Sequence, residues 1–214
     1  MKYLTIVFSL LILISCKNNK ELEILEDKAP VTELKPMEEH MSAAKQFLRE
    51  GKREEALKEL SQSIRTYHNE EAYIMKSNIL LQDKRYFEFL ENTEDAMRFE
   101  QFQSTTLMMH NGLGYELTGQ EEKAMPFYKK AAFQWALEDV NQQNYRLALS
   151  QKPFITAVVF NKETAIKDFD KIFSDFARTR QDTLIKKSFR PLLESYDGTG
   201  MSYFYNTIDE NPTF

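Results

Sequence analysis

The chain has 214 residues, which is enough for one ordinary domain or two small ones. It is 42% hydrophobic and 29% charged, so it has enough apolar material for a core and is not a wholly disordered protein. The net charge of −5 excludes a global positive field that would attract nucleic acid. The single cysteine excludes a disulfide framework and any metal or iron–sulfur site built from several cysteines.

Residues 1–15 have the pattern of a secretory signal peptide. Lys2 provides a positive charge, and a mostly apolar run over residues 4–14 follows it. This run is shorter than the roughly 20 residues that a membrane-spanning helix needs. It leads into Leu13-Ile14-Ser15-Cys16, which resembles the lipobox of bacterial lipoproteins. The resemblance implies cleavage before Cys16 and acylation of its thiol, so that lipid chains hold the protein at a membrane. The alternative, a buried free cysteine, leaves the apolar run unexplained.

Residues 16–36 are mostly polar and contain Pro30, which predicts a flexible tether between the lipid site and the folded part. No aspartate directly follows Cys16. In enteric lipoproteins such an aspartate signals retention in the inner membrane. By that resemblance we expect an outer-membrane protein that faces the periplasm.

Small and aromatic residues recur with a period of 34 residues between residues 37 and 138. This pattern resembles the tetratricopeptide repeat (TPR), in which small residues let the two helices of a hairpin approach closely and a glycine permits the turn. Positions 68 residues before the best copy keep the same character, whereas the middle copy is degenerate and is predicted to carry a small register slip at residues 82–85. The best copy contains Gly112, Tyr115, Gly119, Ala124, Tyr128 and Ala131.

The resemblance implies a mainly α fold in which antiparallel helical hairpins, about three of them, stack as a short superhelix. The alternative is a set of ordinary hairpins without superhelical stacking. Six helices are predicted, at residues 37–50, 53–67, 70–82, 85–99, 104–118 and 121–136.

The region 139–214 resembles no family and is predicted to be a C-terminal extension, either helical or small α+β. A capping helix is expected over residues 139–151, with Asp139 as its N-cap. Residues 154–160, beyond Pro153, are β-branched and apolar. They favour a strand, with a buried helix as the alternative.

Three further elements are predicted near the C-terminus. Asn161 is expected to cap a helix with apolar residues at a spacing of three to four. Another helix is expected over residues 182–197, broken or bent at Pro191. Residues 202–205 are predicted to be a final short strand.

A partner-binding groove is predicted along the first helix of each hairpin, because these helices line the concave face of TPR proteins. Met41, Met75 and Met109 recur at the repeat spacing. Methionine is flexible and polarizable, which suits a groove for an apolar helix or extended segment. The alternative is that these methionines pack between hairpins. The predicted surface comprises Met41, Lys45, Met75, Ile79, Met109, Leu113 and Glu116.

The sequence offers little support for an enzyme. The three histidines are 28 and 42 residues apart and are expected to be structural, and no nucleophile-elbow, zinc-protease or dinucleotide motif occurs. We therefore expect a non-enzymatic, lipid-anchored scaffold or assembly factor that binds another cell-envelope protein, without cofactor, metal or nucleic acid. The alternative is a small-molecule-binding or enzymatic site within residues 139–214.

Overall fold

The computed structural model describes residues 36–102 and 104–210. The predicted signal peptide, the predicted lipid site at Cys16 and the predicted tether up to residue 35 lie outside the described residues. Within those residues the chain forms ten helices and no strand. The helices are α1 Pro36–Arg49, α2 Arg53–Tyr67, α3 Glu70–Gln82, α4 Tyr86–Ala96, α5 Thr105–Leu117, α6 Glu121–Leu137, α7 Tyr145–Val159, α8 Lys162–Phe176, α9 Arg180–Ser195 and α10 Met201–Glu210.

The described residues divide into two compact units. The first comprises residues 36–102 with α1–α4, and the second comprises residues 104–210 with α5–α10. The predicted grouping of residues 37–138 as one repeat region stays a prediction. The six helices predicted there are confirmed, and the largest difference is that α4 ends at Ala96 rather than at residue 99. No helix within the described residues is long and apolar enough to cross a membrane.

The turns of the three hairpins have the same backbone geometry. Gly51, Lys84 and Gly119 each adopt a positive φ, of 75°, 57° and 76° respectively. In each turn this residue donates its N–H to the carbonyl three residues earlier, and the next residue donates to the carbonyl five residues earlier. Such paired bonds satisfy the last carbonyls of the first helix. The residue with positive φ in the middle turn lies 33 residues after the first and 35 before the third, so the predicted register slip is confirmed.

The slip restores the repeat pattern of the middle hairpin. With the register set by the turns, Ser77 is equivalent to Ala44 and Gly112, which are all small. On the second helices, the three equivalent inner positions of each hairpin are at most 1% exposed. Small or buried residues at these positions let the paired helices pack closely. The buried inner sets are Ala56, Leu60 and Ser63 in α2, Phe89, Thr93 and Ala96 in α4, and Ala124, Tyr128 and Ala131 in α6.

In the second unit, α5 and α6 form the third hairpin, and four further helices build on it. The helix α7 packs against α6 and pairs with α8, α9 packs against α7 and α8, and α10 packs against α5 and α7. Asn161 caps α8 as predicted, since its side chain accepts a hydrogen bond from the N–H of Thr164 at 2.8 Å. The extension is therefore helical throughout its described residues.

The strand predicted at residues 154–160 is wrong, because these residues belong mostly to α7. Pro153 lies inside this helix and removes one backbone hydrogen bond, a loss worth about 3 kcal/mol. The helix continues because Phe154 and Ile155, like the residues one turn before them, are buried in the core of the second unit. Ambiguity between a buried helix and a strand is expected for such a short apolar run.

Three other expectations are also corrected. Residues 202–205 lie in the helix α10 rather than in a strand. Asp139 is not an N-cap, because α7 begins at Tyr145 and the backbone carbonyl of Asp139 instead accepts bonds from the amides of Asn141 and Asn144. Of the two outcomes predicted at Pro191, a break or a bend, the break does not occur, because α9 contains this proline and continues to Ser195.

Candidate partner-binding surface

Burial separates the predicted partner-binding residues into two sets. Met41, Met75, Ile79 and Leu113 are each at most 7% exposed and pack inside their units. Lys45, Met109 and Glu116 are partly exposed. The burial of Met41 and Met75 favours, for these two residues, the alternative that the methionines pack between hairpins. Whether these seven residues bind a partner stays a prediction.

The register slip also changes which residues of the middle hairpin are equivalent to the others. Counted from the turns, the counterpart of Met41 and Met109 is Ile74 rather than Met75. Likewise the counterpart of Lys45 and Leu113 is Asn78 rather than Ile79. Ile74 and Asn78 are partly exposed, whereas Met75 and Ile79 are buried. The solvent-accessible residues of α3 are therefore each one position before the predicted residues.

In the first unit, the accessible positions of α1 and α3 are tied by an ion pair. The Lys45 ammonium lies 2.8 Å from the Glu71 carboxylate, and both side chains remain accessible to solvent. A pair this exposed contributes little to stability, about 0–1 kcal/mol. Two partly exposed residues, Lys45 of α1 and Asn78 of α3, are at equivalent positions of their hairpins, and the partly exposed Ile74 lies one helical turn before Asn78. These two helices can therefore offer a mixed apolar and polar surface.

A buried polar network holds the middle hairpin together. The side-chain amide of Asn92 donates to the Tyr73 carbonyl at 3.0 Å and to the Ser77 hydroxyl at 2.9 Å. The Tyr73 hydroxyl donates to the Asp95 carboxylate at 2.6 Å. Burial, followed by this hydrogen bond, raises the pKa of Tyr73. The network therefore adds buried and partly buried hydrogen bonds between the two helices of this hairpin, α3 and α4.

In the second unit, Glu116 binds the start of α10. Its carboxylate accepts hydrogen bonds from the N–H of Met201 at 3.2 Å and from the N–H of Ser202 at 2.7 Å. Two otherwise unpaired N–H groups of a helix N-terminus are thereby satisfied by a charged acceptor. Gly200 precedes them with a φ of 112°, and its N–H donates to the Tyr196 hydroxyl at 3.0 Å. Glu116 is thus a residue that the sequence placed in the groove and that the structure places against the chain's own C-terminal helix.

Asp182 is the most extensively bonded acid among the described residues, and the sequence analysis missed it. Its buried carboxylate accepts from the backbone N–H groups of Arg178 and Thr179, from the Arg146 guanidinium and from the Tyr145 hydroxyl. Burial acts to raise the pKa of Asp182, but the hydrogen bonds outweigh it and the pKa lies below the usual value. Thr179 and Asp182 form a capping box at the start of α9, a sequence signal that could have identified the pair.

This arrangement makes Asp182 a structural residue. Four protein groups donate to its carboxylate, and an ionised carboxylate held this way is a poor general acid or base at neutral pH. No group of three or more metal-ligating side chains occurs within residues 36–102 and 104–210.

The three histidines lie in different environments. His40 in α1 contacts the Glu59 carboxylate in α2 at 2.7 Å, and His68 ends α2 with a positive φ and lies 4.6 Å from the Phe99 ring. His110 lies in α5, where desolvation lowers its pKa to about 4. The structure gives each of them a separate place in a helix or at its end.

Comparison with known proteins gives one structural similarity. The crystal structure of a tetratricopeptide repeat protein from Parabacteroides merdae ATCC 43184 matches 83% of this chain and 67% of that chain, at 19% sequence identity and a TM-score of 0.45. No protein-family profile matches the sequence, and neither does any curated protein.

Proposed function

We propose that this protein is a non-enzymatic scaffold that binds a segment of another cell-envelope protein along the first helices of its hairpins. The observation that carries the proposal is the recurrence of one turn geometry at Gly51, Lys84 and Gly119, which gives each hairpin the same register. Repeat proteins bind partners through equivalent positions of successive repeats. Within the first unit, the equivalent residues Lys45 and Asn78 are both partly exposed. We further propose that acyl chains on Cys16 hold the scaffold at the outer membrane, facing the periplasm.

The accessible residues of α1 and α3 support a binding surface of mixed character. An apolar side chain at Ile74 gains from burial by a partner, and Lys45 and Asn78 supply polar contacts at the rim. The buried residues Met41 and Met75 support this surface from beneath rather than forming it.

A matched pair of charge reversals tests the scaffold. Lys45→Glu changes the proposed surface and replaces an exposed ion pair by two like charges, the introduced carboxylate and that of Glu71, at a solvent-accessible position. Lys58→Glu makes the same charge reversal at an exposed position of α2. The full chain is used to capture proteins from detergent-solubilised envelope membranes. We expect the wild type and Lys58→Glu to recover a protein in stoichiometric amount, and Lys45→Glu to lose it while its circular dichroism is unchanged. Recovery of no such protein by the wild type, or equal recovery by both variants, contradicts the proposal.

The lipid anchor is tested separately. Cys16→Ser should leave an unprocessed precursor that incorporates no fatty-acid label, because the proposed acyl acceptor is the Cys16 thiol. Normal processing and labelling of this variant would show that the anchor has been assigned incorrectly.

A further inference from the structure

The C-terminal helix α10 is held as a docked amphipathic helix. Met201, Phe204 and Tyr205 recur at a spacing of three to four and are each at most 7% exposed. The Phe204 ring lies 4.8 Å from the Phe154 ring of α7, edge to face, and 4.7 Å from the Tyr196 ring, stacked. Ordered aromatic pairs of this kind fix the rotation of a helix as well as adding buried area.

The first turn of α10 is fixed by Glu116 of α5. The carboxylate binds two successive N–H groups, so it recognises a helix N-terminus and not a particular side chain. A Cβ atom at Gly200 would lie 2.4 Å from the Glu116 Oε1 atom. The position before the helix therefore requires glycine both for this approach and for its φ of 112°.

The helix α10 packs on the second unit in the way that a bound helical peptide would, and a short turn joins it to the rest of the chain. The helix has ten residues, and a helix this short is marginal in water unless it is packed. It follows the turn at residues 197–199, in which the Asp197 carboxylate accepts from both the N–H and the hydroxyl of Thr199. Its stability thus depends on the surface that it covers.

We propose that the surface formed by α5 and α7 is a helix-binding site that α10 occupies in this structure, and that an incoming helix of the same kind displaces α10. The incoming helix is one that begins after a glycine, offers its first two N–H groups to Glu116 and buries an aromatic residue about one turn later against Phe154. This inference rests on the proposed function, because it describes the partner for the third hairpin. Its test requires no outside protein, so its failure is distinguishable from failure of the scaffold proposal.

The first measurement is amide hydrogen exchange on the full chain. Gly200→Ala inserts a Cβ against the Glu116 carboxylate and should raise exchange at residues 201–205 by about tenfold or more. Gly198→Ala is the matched control, because its φ is also positive at 93° but no atom lies within 4 Å of its added Cβ. We expect residues 201–205 in the control to exchange nearly as in the wild type. Unchanged exchange in Gly200→Ala, or an equal increase in both variants, overturns the proposal.

The second measurement is binding of an acetylated, fluorescent peptide with the sequence of residues 197–210 to the full chain. The wild type should bind it weakly because its own helix occupies the site. Gly200→Ala should bind it about tenfold more tightly or better, since more of the chain is free to bind. Adding Glu116→Gln to Gly200→Ala should remove most of this gain.

Equal binding by wild type and Gly200→Ala, or undiminished binding after Glu116→Gln, overturns the proposal. If circular dichroism shows that Gly200→Ala does not fold, Phe204→Ser releases the helix from its aromatic contacts instead and is judged by the same two outcomes.

Discussion

Replacing Gly112 by alanine tests the contact between α5 and α6 directly. A Cβ atom at this position would lie 2.4 Å from Cε1 and 2.8 Å from Cδ1 and Cζ of the Tyr128 ring. Carbon atoms that are not bonded to each other prefer separations of about 3.5–4.0 Å. Tyr128 is 0% exposed, so its ring has no solvent-filled space into which it can move.

Two opposing effects set the expected magnitude. Overpacking a buried contact costs about 1–3 kcal/mol. Alanine in place of glycine inside a helix gains about 0.5–1 kcal/mol, because the unfolded chain loses freedom. We therefore expect Gly112→Ala to lower the free energy of unfolding by up to about 2.5 kcal/mol. At a helix position with open space around it, the same substitution would instead raise the free energy of unfolding.

Urea unfolding of the full chain measures this change, and a double-mutant cycle with Tyr128→Leu identifies its cause. When the ring is removed, the same alanine should become neutral or stabilising, which gives a coupling energy of about 1–3 kcal/mol between the two positions. Stability of Gly112→Ala equal to or greater than that of the wild type, with the ring in place, would refute the packing of this hairpin.

Three further predictions concern stability. Asp182→Asn should lower the free energy of unfolding by about 3 kcal/mol, because it removes the charge from a buried carboxylate that four donors satisfy. The control is Asp170→Asn, in a partly exposed pair with Arg190. It should lower the free energy of unfolding by less than about 1 kcal/mol in the same urea titration. The lowered pKa of His110, about 4 against an ordinary 6.5, means that only the unfolded chain gains this proton between those values. The free energy of unfolding of the wild type should therefore fall by up to about 3 kcal/mol between pH 6.5 and pH 4. His110→Gln should show a smaller fall, and identical pH profiles for the two proteins would contradict the prediction. Ala124→Leu should lower the free energy of unfolding by about 1–3 kcal/mol, because it overpacks the contact between α5 and α6. An unchanged melting temperature would contradict the burial of Ala124 where these two helices cross.

The repeat region was predictable because its helices carry local signals. Gly51 and Gly119 mark two turns, and small residues a fixed distance away mark the helix crossings. The middle turn was harder to place because Lys84 takes the left-handed conformation that glycine usually supplies. A shift of one residue in a helix rotates the side chain by about 100°, which is enough to exchange Ile74 for Met75 at the accessible face. The choice of binding residues in the middle hairpin therefore depended on this one-residue shift in register.

The extension was predicted less well, because tertiary packing outweighed its local preferences. The run after Pro153 contains residues that favour strands, and proline normally ends a helix. Burial of Phe154 and Ile155 among the other helices of the second unit stabilises the helix beyond the cost of the missing hydrogen bond. The capping box of Thr179 and Asp182 was visible in the sequence, but the donors that Arg146 and Tyr145 add come from a helix more than thirty residues earlier.

The contacts of Glu116 show why some tertiary contacts leave almost no trace in a sequence. Its partners are backbone N–H groups 85 and 86 residues later, and every residue except proline carries such a group. No side-chain pattern at Met201 or Ser202 is therefore needed for the contact. The one residue whose identity the contact requires is Gly200, because any Cβ there would collide with the carboxylate. A glycine before a short amphipathic helix is thus the feature by which a competing helix should be sought in a partner protein.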